Sequence, residues 1–295
     1  MTTFAFRNDA SIDVAEYARY CGLMEAAAPL VADLSGLALP QRIVACPVTP
    51  EQFVKRQVED AVLRLRRALD GVPEGLLADT MATAMLDQSR ITVERMVSRF
   101  YPTCRAAVLV REDGLELTFM PEVYDRHLHP SERQLTTIFA HEITHLAQLA
   151  LRPELAVTPL TFNMIDGGAG LPHTHHRALE ALVEGHGQYV ERQTSKALCG
   201  QAVIGALPGE PELSEHLLEL RADPAMSTNA PCYDKGEQFI AAAIEAGGHA
   251  LLRLVLERDD LVPTNADLDD PSQWLTRNQA AIESATTRGM SVASA

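Results

Sequence analysis

Aromatic residues are scarce in this chain: one Trp, six Tyr and eight Phe among 295 residues. That leaves no stacking platform for single-stranded nucleic acid. Positive charge is also short, with 25 Lys and Arg against 40 Asp and Glu and a formal net charge of −15. A surface so acidic disfavours nucleic acid and anionic membranes as partners. The five cysteines, Cys21, Cys46, Cys104, Cys199 and Cys232, are widely spaced and form no C-x-x-C pair. That excludes a disulfide framework, suits a reducing, cytoplasmic compartment, and reads each thiol as a small buried hydrophobe. The most apolar early stretch, 23–39, is broken by Glu25, Pro29, Asp33 and Gly36 and cannot span a bilayer. Residues 1–14 carry Arg7, Asp9 and Asp13 and no apolar core, so they do not read as a signal peptide.

What is present begins with His141-Glu142-Ile143-Thr144-His145, of the form H-E-x-x-H. Two histidines four residues apart on a helix share one face. Their imidazoles can grip one Zn²⁺, and the glutamate between them can reach a water on that ion as a general base. The flanks predict the helix. Ser131 and Gln134 fit a capping box, Leu135, Ile138, Phe139, Leu146 and Leu149 recur at helical spacing, and Pro153 stops the segment. A match to metzincins fails, because Gln148 and Leu151 occupy the positions where their extended motif needs Gly and His.

Around this stretch the pattern predicts an α+β chain, mostly helical, with a small sheet ahead of the histidine helix. Helices are expected over 15–34, 51–69 and about 75–100, and a short strand over 42–48. Strands at 105–110 and 115–120, joined by Glu112-Asp113-Gly114, form a hairpin whose edge could hold an extended peptide by strand addition or could be plain core. The chain divides into an N-terminal α/β part, 1–130, and a helical catalytic part, 131–295. Residues 158–176 read as an irregular loop with a glycine cluster and His173, His175 and His176; the cluster lacks the Lys-Ser/Thr ending of a P-loop. Pro263 to Leu275 reads as a polar connection, and the tail after Ile282 as frayed.

Two further stretches carry a resemblance. Leu182-Val183-Glu184-Gly185-His186-Gly187-Gln188-Tyr189-Val190-Glu191 looks like the W-L-N-E-G-F-A-x-Y-x-E pattern of zinc aminopeptidases of the gluzincin group. Tyr233-Asp234-Lys235-Gly236-Glu237-Gln238-Phe239, followed by Gly247-Gly248, looks like a segment downstream of the E-G helix in gluzincin-like bacterial peptidases. The resemblance spans about residues 131–256. Leu182, Val183, His186 and Gly187 depart from the pattern, the spacing from His145 is longer, and a G-x-M-E-N substrate motif is lacking.

The resemblance implies a zincin-like metallopeptidase fold and one Zn²⁺ per chain, held by His141, His145 and Glu184. It makes Tyr233 a candidate donor to a tetrahedral oxyanion, with His173, His175 and His176 as the other candidates. Glu180, one turn before Glu184, is the competing ligand, which would leave Glu184 to orient a histidine. The expected reaction is hydrolysis of a peptide or small amide substrate, with Glu142 as base. The alternatives are a zinc enzyme acting on a non-peptide small molecule and a catalytically idle binding protein on the same scaffold. Oligomeric state is left open.

Overall fold

The computed structural model describes residues 2–70, 79–153, 155, 173–202, 213–223 and 230–293, with 173–177, 230–231 and 288–293 described by backbone alone. The chain opens with strand β1 (Thr3–Phe6), which the sequence reading did not anticipate. Helix α1 (Val14–Ser35) follows. Asp13 caps it by accepting from the amides of Ala15 and Glu16, and Gly36 ends it at φ 67°. Gly36 is required twice over, because an added Cβ would lie 2.3 Å from the His249 side chain. Strand β2 (Arg42–Pro47) leads into helices α2 (Pro50–Asp70) and α3 (Asp79–Phe100), which pack on each other.

Strands β3 (Ala106–Arg111) and β4 (Gly114–Phe119) form the expected hairpin. The sheet order is β1-β2-β4-β3, with the first three strands parallel and β3 antiparallel at the edge. That edge is not free along its length. The Asp60 carboxylate of α2 accepts from the Val110 amide at 2.5 Å, and Arg64 donates to the Val108 carbonyl at 3.2 Å. A peptide strand cannot pair there without displacing a buried carboxylate and its arginine.

A short helix α4 (Pro121–Val123) and a π-helical turn (Tyr124–Leu128) carry the chain to α5 (Glu132–Leu151). Ser131 caps α5 by accepting from the Gln134 amide. Nearly every α5 residue from Gln134 to Leu149 is buried. Such a helix runs through the core rather than lying over it. Its threonines remain tolerable inside because Thr136, Thr137 and Thr144 donate to carbonyls of the preceding turn.

Helix α6 (His173–Cys199) packs against α5, and α8 (Ala230–Glu257) packs against α6. His173 to His176 thus belong to the first turn of α6 rather than to a loop, while the glycine cluster before them, like 71–78, lies outside the described residues. Between α6 and α8 comes the short α7 (Glu215–Ala222). Gly248, at φ 67°, breaks α8 into two helices.

The C-terminal part is more ordered than the sequence reading expected. The supposed polar connection contains α9 (Asn265–Asp269), opened by a reciprocal Thr264–Asp267 capping box, and α10 (Pro271–Arg277). The supposed frayed tail is α11 (Gln279–Ala293), anchored by buried Ile282 and Ala285 against α8. Most apolar residues there are alanines, too small to register as a periodic face.

Two cores flank α5. One gathers Tyr20, Phe119, Tyr124 and Phe139, whose rings meet at centroid distances of 4.9 to 6.3 Å. The other gathers Phe239 and Trp274 with the leucines of α8; the Trp274 indole donates to the Leu261 carbonyl at 3.0 Å. Among the described residues, Cys232–Glu257 of α8 is long and apolar enough to cross a membrane. Here Phe239, Ile240, Ala243, Leu251, Leu252 and Val255 pack it into the second core.

Candidate metal centre

Helices α5 and α6 run antiparallel, since His141 meets Glu191 while Gln148 meets Val183. Glycines let the helices come this close. An added Cβ at Gly187 would lie 2.8 Å from the His141 ring. At the crossing of α6 and α8, a Cβ at Gly185 would lie 2.2 Å from the Gly236 carbonyl carbon, and one at Gly236 1.8 Å from the Ala181 oxygen. The glycines of the E-G-H-G and Y-D-K-G stretches are therefore contact points of helix axes, which explains on packing grounds why both stretches need them.

This packing brings His141, His145 and Glu184 together, with one donor atom from each lying within 4.8 Å of the others. The Glu184 Oε2 stands 3.5 Å from His141 Nε2 and 3.7 Å from His145 Nε2. Glu180 does not join them; its Oε1 accepts from the Tyr233 hydroxyl at 3.4 Å. Tyr233 is thus brought to Glu180, one helical turn from Glu184. The side chains of His173, His175 and His176 lie outside the described residues.

The far nitrogen of each imidazole is held from behind. Glu191 Oε2 lies 3.1 Å from His141 Nδ1, and Arg105 clasps both oxygens of the same carboxylate. The Tyr124 hydroxyl in turn donates to the Arg105 carbonyl at 2.6 Å. On the other side, Gln148 Oε1 lies 2.8 Å from His145 Nδ1. A carboxylate only accepts, so His141 donates its Nδ1 proton to Glu191, which leaves Nε2, facing Glu184, as the nitrogen that would give up its proton to bind a cation. Gln148 Nε2 donates to the Val183 carbonyl at 3.0 Å, which fixes its oxygen toward His145 and sets the same arrangement there.

Charge tells the same story. Burial would discharge the His141 ring, yet the hydrogen bonds to Glu184 and Glu191 push it up to about 10. His145 is raised against burial by Glu184. Burial works against the Glu184 charge, but His145 and His141 hold the carboxyl well below its ordinary range. Glu191 is held down likewise by Arg105 and His141. The donor set therefore favours positive charge at its centre. Two imidazoles that can yield a proton each and a carboxylate, in this largely buried arrangement, fit a divalent cation of zinc's preferences. Glu142, between the two histidines and only 8% exposed, is raised above the usual carboxylate range by burial, against the pull of those histidines.

Arg105 escaped the sequence reading, Gln148 and His186 entered it only as departures from known motifs, and Glu191 only as a matched letter. Gln148 stands three residues after His145 and Glu191 two turns after Glu184, so both signals were local. Arg105 offered none, because only the fold carries the start of β3 to α6.

No family model matches the chain, and no curated protein matches it in sequence. A crystal structure from Chloroflexus aurantiacus, described as "a putative hydrolase with a novel fold", is similar over 92% of this chain and 93% of its own, with a TM-score of 0.56 and 18% identity. The two chains share a fold.

Proposed function

We propose that the chain is a zinc-dependent hydrolase of the gluzincin type that cleaves a peptide amide bond. The observation that supports this most is the convergence of His141 Nε2, His145 Nε2 and the Glu184 carboxylate beside Glu142. The hydrolase character reported for the structural neighbour agrees with it. Zn²⁺, one per chain, would be held by His141, His145 and Glu184; when bound it supplies Lewis acidity toward a water and a carbonyl oxygen.

The remaining work belongs to the chain. Glu142 takes a proton from the attacking water on its carboxylate and passes it to the leaving amine. Burial raises its carboxyl above the usual range, which favours holding that proton. Glu191 and Gln148 keep both imidazoles turned toward the centre. Tyr233, beside Glu180, is assigned the hydrogen bond to the developing oxyanion. The occupied edge at Val108 and Val110 favours, as a second reading, a short peptide or small non-peptide amide over a long extended strand.

Metal analysis, loss of turnover on chelation and its return with zinc test the cofactor. A peptide library run beside small amides tests the substrate. Glu142→Gln is expected to keep zinc and lose turnover; full activity in that variant would remove the assigned base.

A further inference from the structure

His186 is fully buried, yet the proposed chemistry does not use it. Its Nδ1 lies 3.2 Å from Gln148 Nε2, the same amide nitrogen that donates to the Val183 carbonyl. An amide NH₂ only donates, so His186 Nδ1 accepts and its proton sits on Nε2. That Nε2 is buried and makes no well-formed hydrogen bond among the described residues, although the Ser35 backbone lies near enough to favour its proton. An imidazole with one poorly matched nitrogen in the core lowers stability, and an apolar side chain would fill the space at smaller cost. What the imidazole adds is the one bond to Gln148.

We infer that Gln148, on α5 itself, and His186, on the facing α6, are positioning residues that together set the orientation of His145. The chain of contacts is continuous. His186, on the same turn of α6 as Glu184, fixes the second hydrogen of the Gln148 amide, and Val183 fixes the first. The amide oxygen then meets His145 Nδ1 at 2.8 Å. The carboxylate ligand and this tether leave α6 within two residues of each other. A shift of α6 against α5 therefore disturbs Glu184 and the support of His145 together. Glycine at 185 and 187 supports the same register, since each meets a neighbouring element too closely for a side chain. The inference rests on the metal reading proposed above.

The test uses the full chain and metal ions alone. Zinc affinity is read by competition with a chromophoric chelator, ligand geometry by the visible absorption of the cobalt(II) form, and folding by the melting of the metal-free protein. Gln148→Leu and His186→Leu are expected to weaken zinc roughly 10- to 100-fold and to shift the cobalt bands. The metal-free melting temperature of His186→Leu reads the packing cost separately from the effect on the metal. His186→Asn, whose Oδ1 can replace the lost acceptor, should restore most of the affinity.

Unchanged affinity and spectrum in His186→Leu overturn the inference, and so does an Asn variant as weak as the Leu one, which would mark mere packing. Should Gln148→Leu fail to fold, the two His186 variants decide alone. A wild-type chain that takes up neither zinc nor cobalt overturns the metal reading itself, and is distinguishable because no variant is then needed.

Discussion

The two histidines of α5 sit one turn apart and point at the same place, yet they are held by unlike means. His141 leans on a charged system: the fully buried Glu191, clasped by Arg105, whose own carbonyl is tied to Tyr124. His145 leans on a neutral one, in which the Gln148 amide is pinned by Val183 and His186. The charged side ties the site to the sheet, because Arg105 enters β3. The neutral side ties α5 to α6 alone. A buried ion pair is costly to break by halves, whereas a neutral amide can be lost with less penalty. The two sides should therefore differ more in their effect on folding than on metal binding.

The largest expected effect comes from breaking the charged side. Glu191→Ala leaves Arg105 buried without its carboxylate and should cost roughly 3–5 kcal/mol of stability, besides weakening zinc. Gln148→Ala should cost only about 1–3 kcal/mol. Chemical denaturation of both variants checks the contrast, and equal costs would abolish it. Pairing Glu191→Gln with Arg105→Leu removes both charges at once and makes the two histidines alike. That double variant should recover much of the stability lost by Glu191→Gln alone, as measured in the same denaturation series.

Next come the close approaches. Gly236→Ala sets a Cβ against the Ala181 carbonyl, where neither backbone can yield without parting α6 and α8, and should cost roughly 1–3 kcal/mol. Gly187→Ala meets a ring rather than a backbone. It should displace His141 and weaken zinc binding more than it lowers the melting temperature; calorimetry with and without zinc separates the two.

The smallest effect lies at the capping box of α9. Burial would raise Asp267, but Arg277 and the Thr264 amide hold its carboxyl below the ordinary range. A depressed native value means that its contribution is present above the unfolded value of about 3.9 and fades as pH falls through the native one. Asp267→Asn should lower stability by about 1 kcal/mol at pH 7, the scale of a lost cap. The gap between variant and wild type should shrink in melts taken at progressively lower pH.

Much of α5 was legible because its signals are local. The Ser131 cap, the apolar spacing and the Pro153 stop bounded α5 closely, and the strands of the hairpin lay within a residue or so of expectation. The N-terminal strand was missed, since four residues pairing with β2 leave no periodic trace of their own. The C-terminal helices were missed for a related reason: α9 and α10 are too short to show a period, and α11 depends on the surface of α8. The hairpin edge looked open in sequence because nothing in 105–120 reports that Asp60 and Arg64 will cover it.

By itself the sequence determined that His141, Glu142 and His145 share one buried helix, because helical spacing and capping act within a few residues. Which glutamate closes the triangle, what holds each imidazole from behind, and how near the helices lie were decided only by tertiary packing. Those contacts join residues from separate elements, and their geometry depends on glycine-to-backbone approaches that no local pattern encodes.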